Sequence, residues 1–136
     1  MQDKYDNKYK QLVEYALIAM KNAYAPYSGL KVGAAVLTDR GNIFTGVNVE
    51  NASFGATNCA ERTAIFKAVS EGETGIIMVA VASDMDDIIY PCGICRQVLA
   101  EFCKEDAAVI CANKKGEYMA YTLKELLPCA FHEFKI

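Results

Sequence analysis

The chain has 136 residues, a formal net charge of -3 and an apolar fraction of 53%. This composition excludes a disordered chain, and it excludes a nucleic-acid-binding protein with a broad basic face. The length is enough for one compact domain and too short for two ordinary ones, so we predict a single domain over residues 1–136.

Neither a signal peptide nor a membrane segment is predicted. The N-terminal residues MQDKYDNKYK are polar, and the longest apolar run, residues 76–82, is too short to span a bilayer. We therefore expect a cytoplasmic location, where cysteines do not normally form disulfides. Metal binding or burial must then account for the six cysteines, which are Cys59, Cys92, Cys95, Cys103, Cys111 and Cys129.

The first half of the chain begins with a helical pattern. Apolar spacing predicts a helix over residues 6–24, which Pro26 and Gly29 then interrupt. Two β-rich runs, residues 30–38 and 42–50, are joined by Asp-Arg-Gly and predict an antiparallel hairpin. A turn-rich loop follows, and residues 59–69 predict a second helix that Gly72 ends.

The second half alternates strands and helices. Continuous apolar runs at residues 76–82 and 107–112 predict buried strands, and residues 93–103 between them predict a third helix. An edge-like strand over residues 118–122 follows, and Thr122 with Glu125 predicts a capping box for a short last helix. The order α-β-β-α-β-α-β-β-α predicts a three-layer α/β/α protein with one five-stranded mixed sheet.

The segment PCGIC, residues 91–95, contains a C-x-x-C pair with three interpretations. A redox dithiol is expected near the start of a thioredoxin-like βαβ unit, and it would be active without metal. A structural zinc site needs four protein ligands, but the sequence has no second such pair, and its only histidine, His132, lies near the C-terminus. A catalytic zinc site needs three ligands and an open position for water, and Cys59 at a helix start suits the third place.

The segment NCAERTA, residues 58–64, places two charged residues at the second and third positions after Cys59. Glu61 can approach the open position of a metal there and move protons. Three thiolates leave a Zn²⁺ site with a charge of about -1, which weakens its pull on water. Arg62 can donate to the sulfurs and restore part of the positive charge, so its replacement by glutamine should reduce activity before it reduces stability.

NCAERTA and the distant PCGICRQV together resemble the signature of the zinc-dependent nucleoside deaminases. The resemblance to the small cytidine deaminases extends over nearly the whole chain. It includes the segments YAPYS, VGAA, GVNVENAS, ELLP and AF. The resemblance implies zinc-dependent hydrolysis of cytidine and deoxycytidine in pyrimidine salvage, with Cys59, Cys92 and Cys95 as zinc ligands. Water activated at the zinc would attack C4 of cytosine, and Glu61 would pass a proton to N3 and then to the departing 4-amino group.

The same resemblance implies further roles in substrate binding. Asn48 and Glu50 would bind the ribose hydroxyls, the backbone N–H of Ala60 would donate to the pyrimidine O2, and the Tyr90 carbonyl would hold the departing amine. Phe131 would stack on the base bound by a neighbouring subunit, which implies a homotetramer with shared active sites.

Two positions depart from the family pattern. Leu30 stands where many relatives place a phenylalanine over the base, so it packs on the ring without edge-to-face contact. Cys129 stands where a glycine is common. We expect Cys103, Cys111 and Cys129 to be packing residues and His132 to lie on the surface.

Alternative functions are distinguishable by sequence features. Blasticidin S deaminases share the zinc motif, but Glu50 and Arg62 favour a plain nucleoside over such a modified one. Deaminases that act on polynucleotides need a basic, aromatic-lined groove, and the charge balance gives no sign of one. A non-catalytic, zinc-stabilised binding module would need a fourth protein ligand.

Overall fold

The computed structural model describes residues 4–132, which contain four α-helices and five strands. The first half runs α1, Asp6–Met20; β1, Val32–Thr38; β2, Ile43–Val47; and α2, Ala60–Ser70. The second half runs β3, Ile76–Ser83; α3, Gly93–Phe102; β4, Ala108–Ala112; β5, Tyr118–Thr122; and α4, Leu123–Leu126. This order confirms the predicted alternation of helices and strands.

The strands form one mixed sheet in the order β2-β1-β3-β4-β5. β3 and β4 are parallel, and all other neighbouring pairs are antiparallel. Every residue of β1 is buried, because helices cover this part of the sheet on both faces. The predicted five-stranded mixed sheet, with residues 118–122 at one edge, is confirmed.

Two hydrophobic cores lie on opposite faces of the sheet. On one face, α1 places Leu12 in a cluster with Ala35 of β1. On the other face, Ile65 of α2 and Leu99 of α3 share a second cluster with Val79 of β3. The arrangement is the predicted three-layer α/β/α architecture. Within residues 4–132, no helix is both long enough and apolar enough to cross a membrane.

The first helix is shorter than predicted. It ends at Met20, although apolar spacing extended the prediction to residue 24. Tyr24 instead pairs with the segment that follows residue 47. Its N–H donates to the Asn48 carbonyl at 3.0 Å, and its carbonyl accepts from the Glu50 N–H at 2.9 Å. This pairing is long-range in sequence, so helical periodicity could not reveal it. It brings residues 25–30 beside Asn48 and Glu50.

The second strand is also shorter than predicted, and the residues after it pair with the segment before α2. β2 ends at Val47, whereas the prediction ran to residue 50. Val49 then pairs with Asn58, with N–O distances of 2.9 and 3.0 Å in the two directions. The bridge holds Asn58, the residue before Cys59, beside Val49 and so positions the start of α2.

The predicted capping box of the last helix is confirmed. The Glu125 N–H donates to the Thr122 hydroxyl at 3.2 Å, and the Thr122 N–H donates to the Glu125 carboxylate at 2.8 Å. These bonds satisfy two backbone donors that a helix start otherwise leaves free. His132 is exposed, as expected, and lies 3.6 Å from a Glu105 oxygen.

Cys129 does not pack in the core, contrary to expectation. Cys103 is half-buried against the core and Cys111 is fully buried, but Cys129 is exposed. Its φ of 54° is the only positive φ of a non-glycine residue in the described chain. This conformation strains any side chain with a Cβ and suits glycine.

Replacing Cys129 by glycine is therefore expected to stabilise the protein. Relief of the left-handed strain outweighs the greater freedom of glycine in the unfolded chain, for a net gain of roughly 0.5–1 kcal/mol. Urea unfolding of zinc-loaded protein measures the change. Cys129→Ala is the control, because it removes the thiol and keeps the Cβ. Equal stability of the two variants would show that the thiol, not the backbone, decides.

Candidate metal centre

Two helix starts bring three cysteines together. Cys59 is the N-cap residue of α2, Cys92 is the N-cap residue of α3, and Cys95 lies in the first turn of α3. Both N-caps have extended backbone, with φ and ψ of -79° and 156° for Cys59 and -68° and 169° for Cys92. Helix N-termini carry partial positive charge, which stabilises thiolates.

The sulfur positions fit a zinc ion. The three Sγ atoms lie within 4.8 Å of one another, and those of Cys59 and Cys92 are 3.8 Å apart. Tetrahedral ligation with Zn–S bonds of about 2.3 Å requires sulfurs about 3.8 Å apart. Among residues 4–132, no fourth Cys, His, Asp or Glu belongs to this cluster. Three soft ligands and an open position are the donor set of a catalytic zinc site rather than a structural one.

Glu61 is buried beside the cluster. Its exposed fraction is 4%, although it is ionisable and lies in the first turn of α2. Burial raises the pKa of Glu61 to about 7 in the metal-free protein, and the negative charge of Cys59 adds to that rise. A carboxyl group held this way beside a metal site can accept a proton and release it again.

Arg62 makes the contact that its proximity to Cys59 predicts. Its Nη2 donates to the Cys59 sulfur at 3.3 Å. Hydrogen bonds from Cys95, Arg62 and Cys92 lower the pKa of the Cys59 thiol to about 5 in the metal-free protein, against the opposing effect of burial. The Nε of Arg62 is buried and has no hydrogen-bond partner within the described chain. The side chain is therefore held at the sulfurs at some energetic cost.

Replacing Arg62 by glutamine is expected to lower kcat/KM about 10–100-fold, the usual effect of losing a group that supports metal ligands. Stability should change little, because the substitution also removes a buried donor without a partner. Steady-state kinetics and thermal unfolding of the zinc-loaded variant measure both effects. Arg62→Lys retains the charge and should retain more activity. A variant that unfolds readily but keeps full specific activity would make Arg62 purely structural.

A cavity of about 390 Å³ lies over the cluster. Its lining includes Cys59, Ala60, Glu61 and Cys92. The other predicted substrate-binding residues of this subunit also line it, namely Leu30, Asn48, Glu50 and Tyr90. The fold thus gathers residues from four separate parts of the chain around one space.

Phe131 does not line this cavity within its own subunit. Its side chain is 61% exposed, and its carbonyl accepts a hydrogen bond from the Gln97 side chain at 2.7 Å. The family resemblance implies a role for Phe131 in a neighbouring subunit, and that role stays a prediction.

Asn48 links the end of β2 to the segment that precedes β1. Its Oδ1 accepts from the Val32 N–H at 2.8 Å, and its Nδ2 donates to the Leu30 carbonyl at 2.8 Å. An amide group can make about two more hydrogen bonds than these. Asn48 therefore braces the wall of the cavity and retains hydrogen-bonding capacity for a ligand.

Glu50 is oriented by the turn at residues 27–28. One carboxylate oxygen accepts from the N–H groups of Tyr27 and Ser28, at 2.9 and 3.0 Å, and the other accepts from the Ser28 hydroxyl. The Ser28 hydroxyl bond is the main cause that lowers the pKa of Glu50. Sequence reasoning gave Ser28 no role, although it ends the YAPYS motif, because its contact with Glu50 spans 22 residues and forms only in the folded chain.

The fold and this cluster together define the class of zinc-binding α/β proteins, with a buried carboxyl group beside the three cysteines. Residues 6–113 match the family described as the cytidine and deoxycytidylate deaminase zinc-binding region. The chain belongs to this family.

Individual relatives agree with the family match. The chain is 48% identical to a cytidine deaminase of Halalkalibacterium halodurans, over 90% of this chain and 92% of that protein. The crystal structure of a cytidine deaminase from Burkholderia pseudomallei superposes with a TM-score of 0.85 at 46% identity, covering 89% of this chain and 97% of that one. A blasticidin-S deaminase of Bacillus cereus is less similar, with 32% identity over 74% of this chain and 76% of that protein.

Proposed function

We propose that this protein catalyses the zinc-dependent hydrolytic deamination of cytidine and deoxycytidine to uridine and deoxyuridine, with release of ammonia. The observation that carries the proposal is the burial of Glu61 on the floor of the cavity, beside three sulfurs spaced for zinc. The similarity to cytidine deaminases at 48% identity supports the choice of substrate.

Each residue at the site has a role in this proposal. Cys59, Cys92 and Cys95 would hold the zinc, which when bound supplies Lewis-acid chemistry that makes water nucleophilic near neutral pH. Glu61 takes one proton from the attacking water on its carboxylate and gives it to N3 of the base. It then takes the proton of the hydroxyl group added at C4 and delivers it to the 4-amino group, which leaves as ammonia when the C4–N bond breaks. Its burial excludes bulk water, so protons move between Glu61 and the substrate rather than to solvent.

Backbone groups would orient the base. Ala60 is the first residue of α2, where a backbone N–H has no partner within the helix, so it is available to the pyrimidine O2. The Tyr90 carbonyl accepts no hydrogen bond from another described residue, so it is available to the departing ammonia. Leu30 lines the cavity from the segment before β1 and would pack on the ring.

The charge of the cavity favours a nucleoside over a nucleotide. Its described lining contains Glu50 and Glu61 and neither lysine nor arginine. The bonds from Ser28 and Tyr27 hold Glu50 as a hydrogen-bond acceptor, which suits a sugar hydroxyl and repels phosphate. Asn48 supplies the second polar group for the sugar.

We also propose a homotetramer with active sites shared between subunits. Large apolar side chains are exposed near the cavity and along the C-terminal segment, including Phe54 at 76%, Ile94 at 62% and Phe131 at 61%. Burial of such side chains against other copies of the chain would stabilise an assembly. In the assembly Phe131 would reach the base in a neighbouring subunit. The unit would be a single domain over residues 1–136 acting in the cytoplasm, where its free cysteines are kept reduced.

The experiment that tests the proposed function is a substrate panel read by ammonia release. Zinc-loaded protein is expected to release ammonia from cytidine and deoxycytidine, and much less from cytidine monophosphate and blasticidin S. Turnover restricted to blasticidin S would favour the modified-nucleoside alternative. Full occupancy by zinc without ammonia from any compound would favour a binding module.

A further inference from the structure

Cys92 is the metal ligand whose position depends most on irregular structure. Cys95 lies within α3 and is buried, whereas Cys92 is exposed and ends the segment that joins β3 to α3. In the described chain, the backbone of residues 87–91 takes part in one hydrogen bond. That bond runs from the Arg96 Nε to the Pro91 carbonyl, with a length of 2.8 Å.

Arg96 makes a second bond from the same guanidinium. Its Nη1 donates to the Leu126 carbonyl at 2.7 Å, at the end of α4. The side chain is half-buried, where bonds from a charged donor are strong because water competes less for the acceptor. The planar guanidinium thus connects Pro91, the residue before Cys92, to the end of α4.

The two bonds constrain Cys92 through a short covalent path. The carbonyl held by Arg96 belongs to the peptide group that joins Pro91 to Cys92, so fixing it fixes the plane that carries the Cys92 nitrogen. The backbone N–H of Arg96 donates to the carbonyl of Cys92, the N-cap residue of α3, at 3.0 Å. Arg96 therefore holds both peptide groups that flank Cys92.

We propose that Arg96 is a positioning residue for the zinc site, which fixes Cys92 through the Pro91 carbonyl and is itself anchored on Leu126. The inference rests on the proposed ligand set of Cys59, Cys92 and Cys95. It predicts that loss of Arg96 weakens zinc binding without removing any ligand. Neighbouring Gln97 bonds the Phe131 carbonyl and not the Pro91 carbonyl, so it offers a matched control on the same helix.

The test is zinc affinity, measured by competition with a chromophoric chelator. Arg96→Gln is expected to bind zinc 10–100-fold more weakly than the parent, and Gln97→Ala is expected to match the parent. The cobalt-substituted form of Arg96→Gln should also show an altered thiolate-to-metal absorption band, because the Cys92 sulfur shifts. Arg96→Lys retains the charge without the planar pair of donors and should recover part of the affinity.

Two results would overturn the proposal. One is parental zinc affinity and an unchanged cobalt spectrum in folded Arg96→Gln, judged by circular dichroism. If Arg96→Gln does not fold, parental affinity in Arg96→Lys has the same force. The zinc content of the parent tests the ligand set separately, since the proposal on Arg96 concerns only the ratio of variant to parent.

Discussion

Replacing Glu61 by glutamine is expected to lower kcat for cytidine about 10²–10⁴-fold while the protein keeps its zinc. Glutamine has nearly the same shape, but it cannot carry a proton between water and the base. Glu61 is not one of the three cysteines proposed to bind zinc, so its replacement leaves that cluster intact. Initial rates of ammonia release and metal analysis of the same preparation measure both effects.

Glu71→Gln is the matched control for this change. Glu71 lies at the other end of α2 and is exposed, so the same substitution there should leave both activity and zinc content unchanged. Loss of zinc from Glu61→Gln would make Glu61 structural. Retention of both zinc and turnover would remove Glu61 from the chemistry.

Replacing Gly46 by alanine is expected to destabilise the protein by about 3 kcal/mol. Gly46 of β2 lies directly against α2. A Cβ added there would come within 2.4 Å of the Ala64 nitrogen and 2.5 Å of the Ala60 carbonyl oxygen. Both neighbours are backbone atoms of a helix, so the helix as a whole would have to move.

That movement would also affect the metal centre, because Cys59 and Glu61 lie at the start of α2. Urea unfolding with and without a chelator separates the loss of packing from the loss of metal. Gly55→Ala is the control: its added Cβ would meet no atom within 4 Å, so it should leave stability nearly unchanged. Equal stability of Gly46→Ala and the parent would mean that α2 is less closely packed on β2 than the distances indicate.

The fold was largely predictable because its elements carry strong local patterns. The continuous apolar runs of β3 and β4 and the capping box at Thr122 are local features, and the structure confirms them. The predicted ends of α1 and β2 were wrong for one physical reason. Around residues 21–24 and 48–50, hydrogen bonds between distant segments override the local preferences, as the contacts of Tyr24 show.

The site divides in the same way. Cys59 and Glu61 form one short motif, and Cys92 and Cys95 form a second. The sequence shows each motif, and the fold brings the cysteines of both together. Ser28 and Arg96 were not predicted, because each acts on a carboxylate or carbonyl that only the folded chain places beside it. Cys129 was wrongly expected to pack, since sequence alone does not reveal that its backbone is left-handed and its side chain exposed.

The central claim is that this chain hydrolyses the C4–amino bond of cytidine at its zinc site. The most direct measurement incubates zinc-loaded protein with cytidine in water enriched in heavy oxygen and analyses the product by mass spectrometry. We predict uridine that carries the heavy oxygen, an equal amount of ammonia, and loss of both after zinc is removed. Unchanged cytidine with fully zinc-loaded, folded protein would contradict the account.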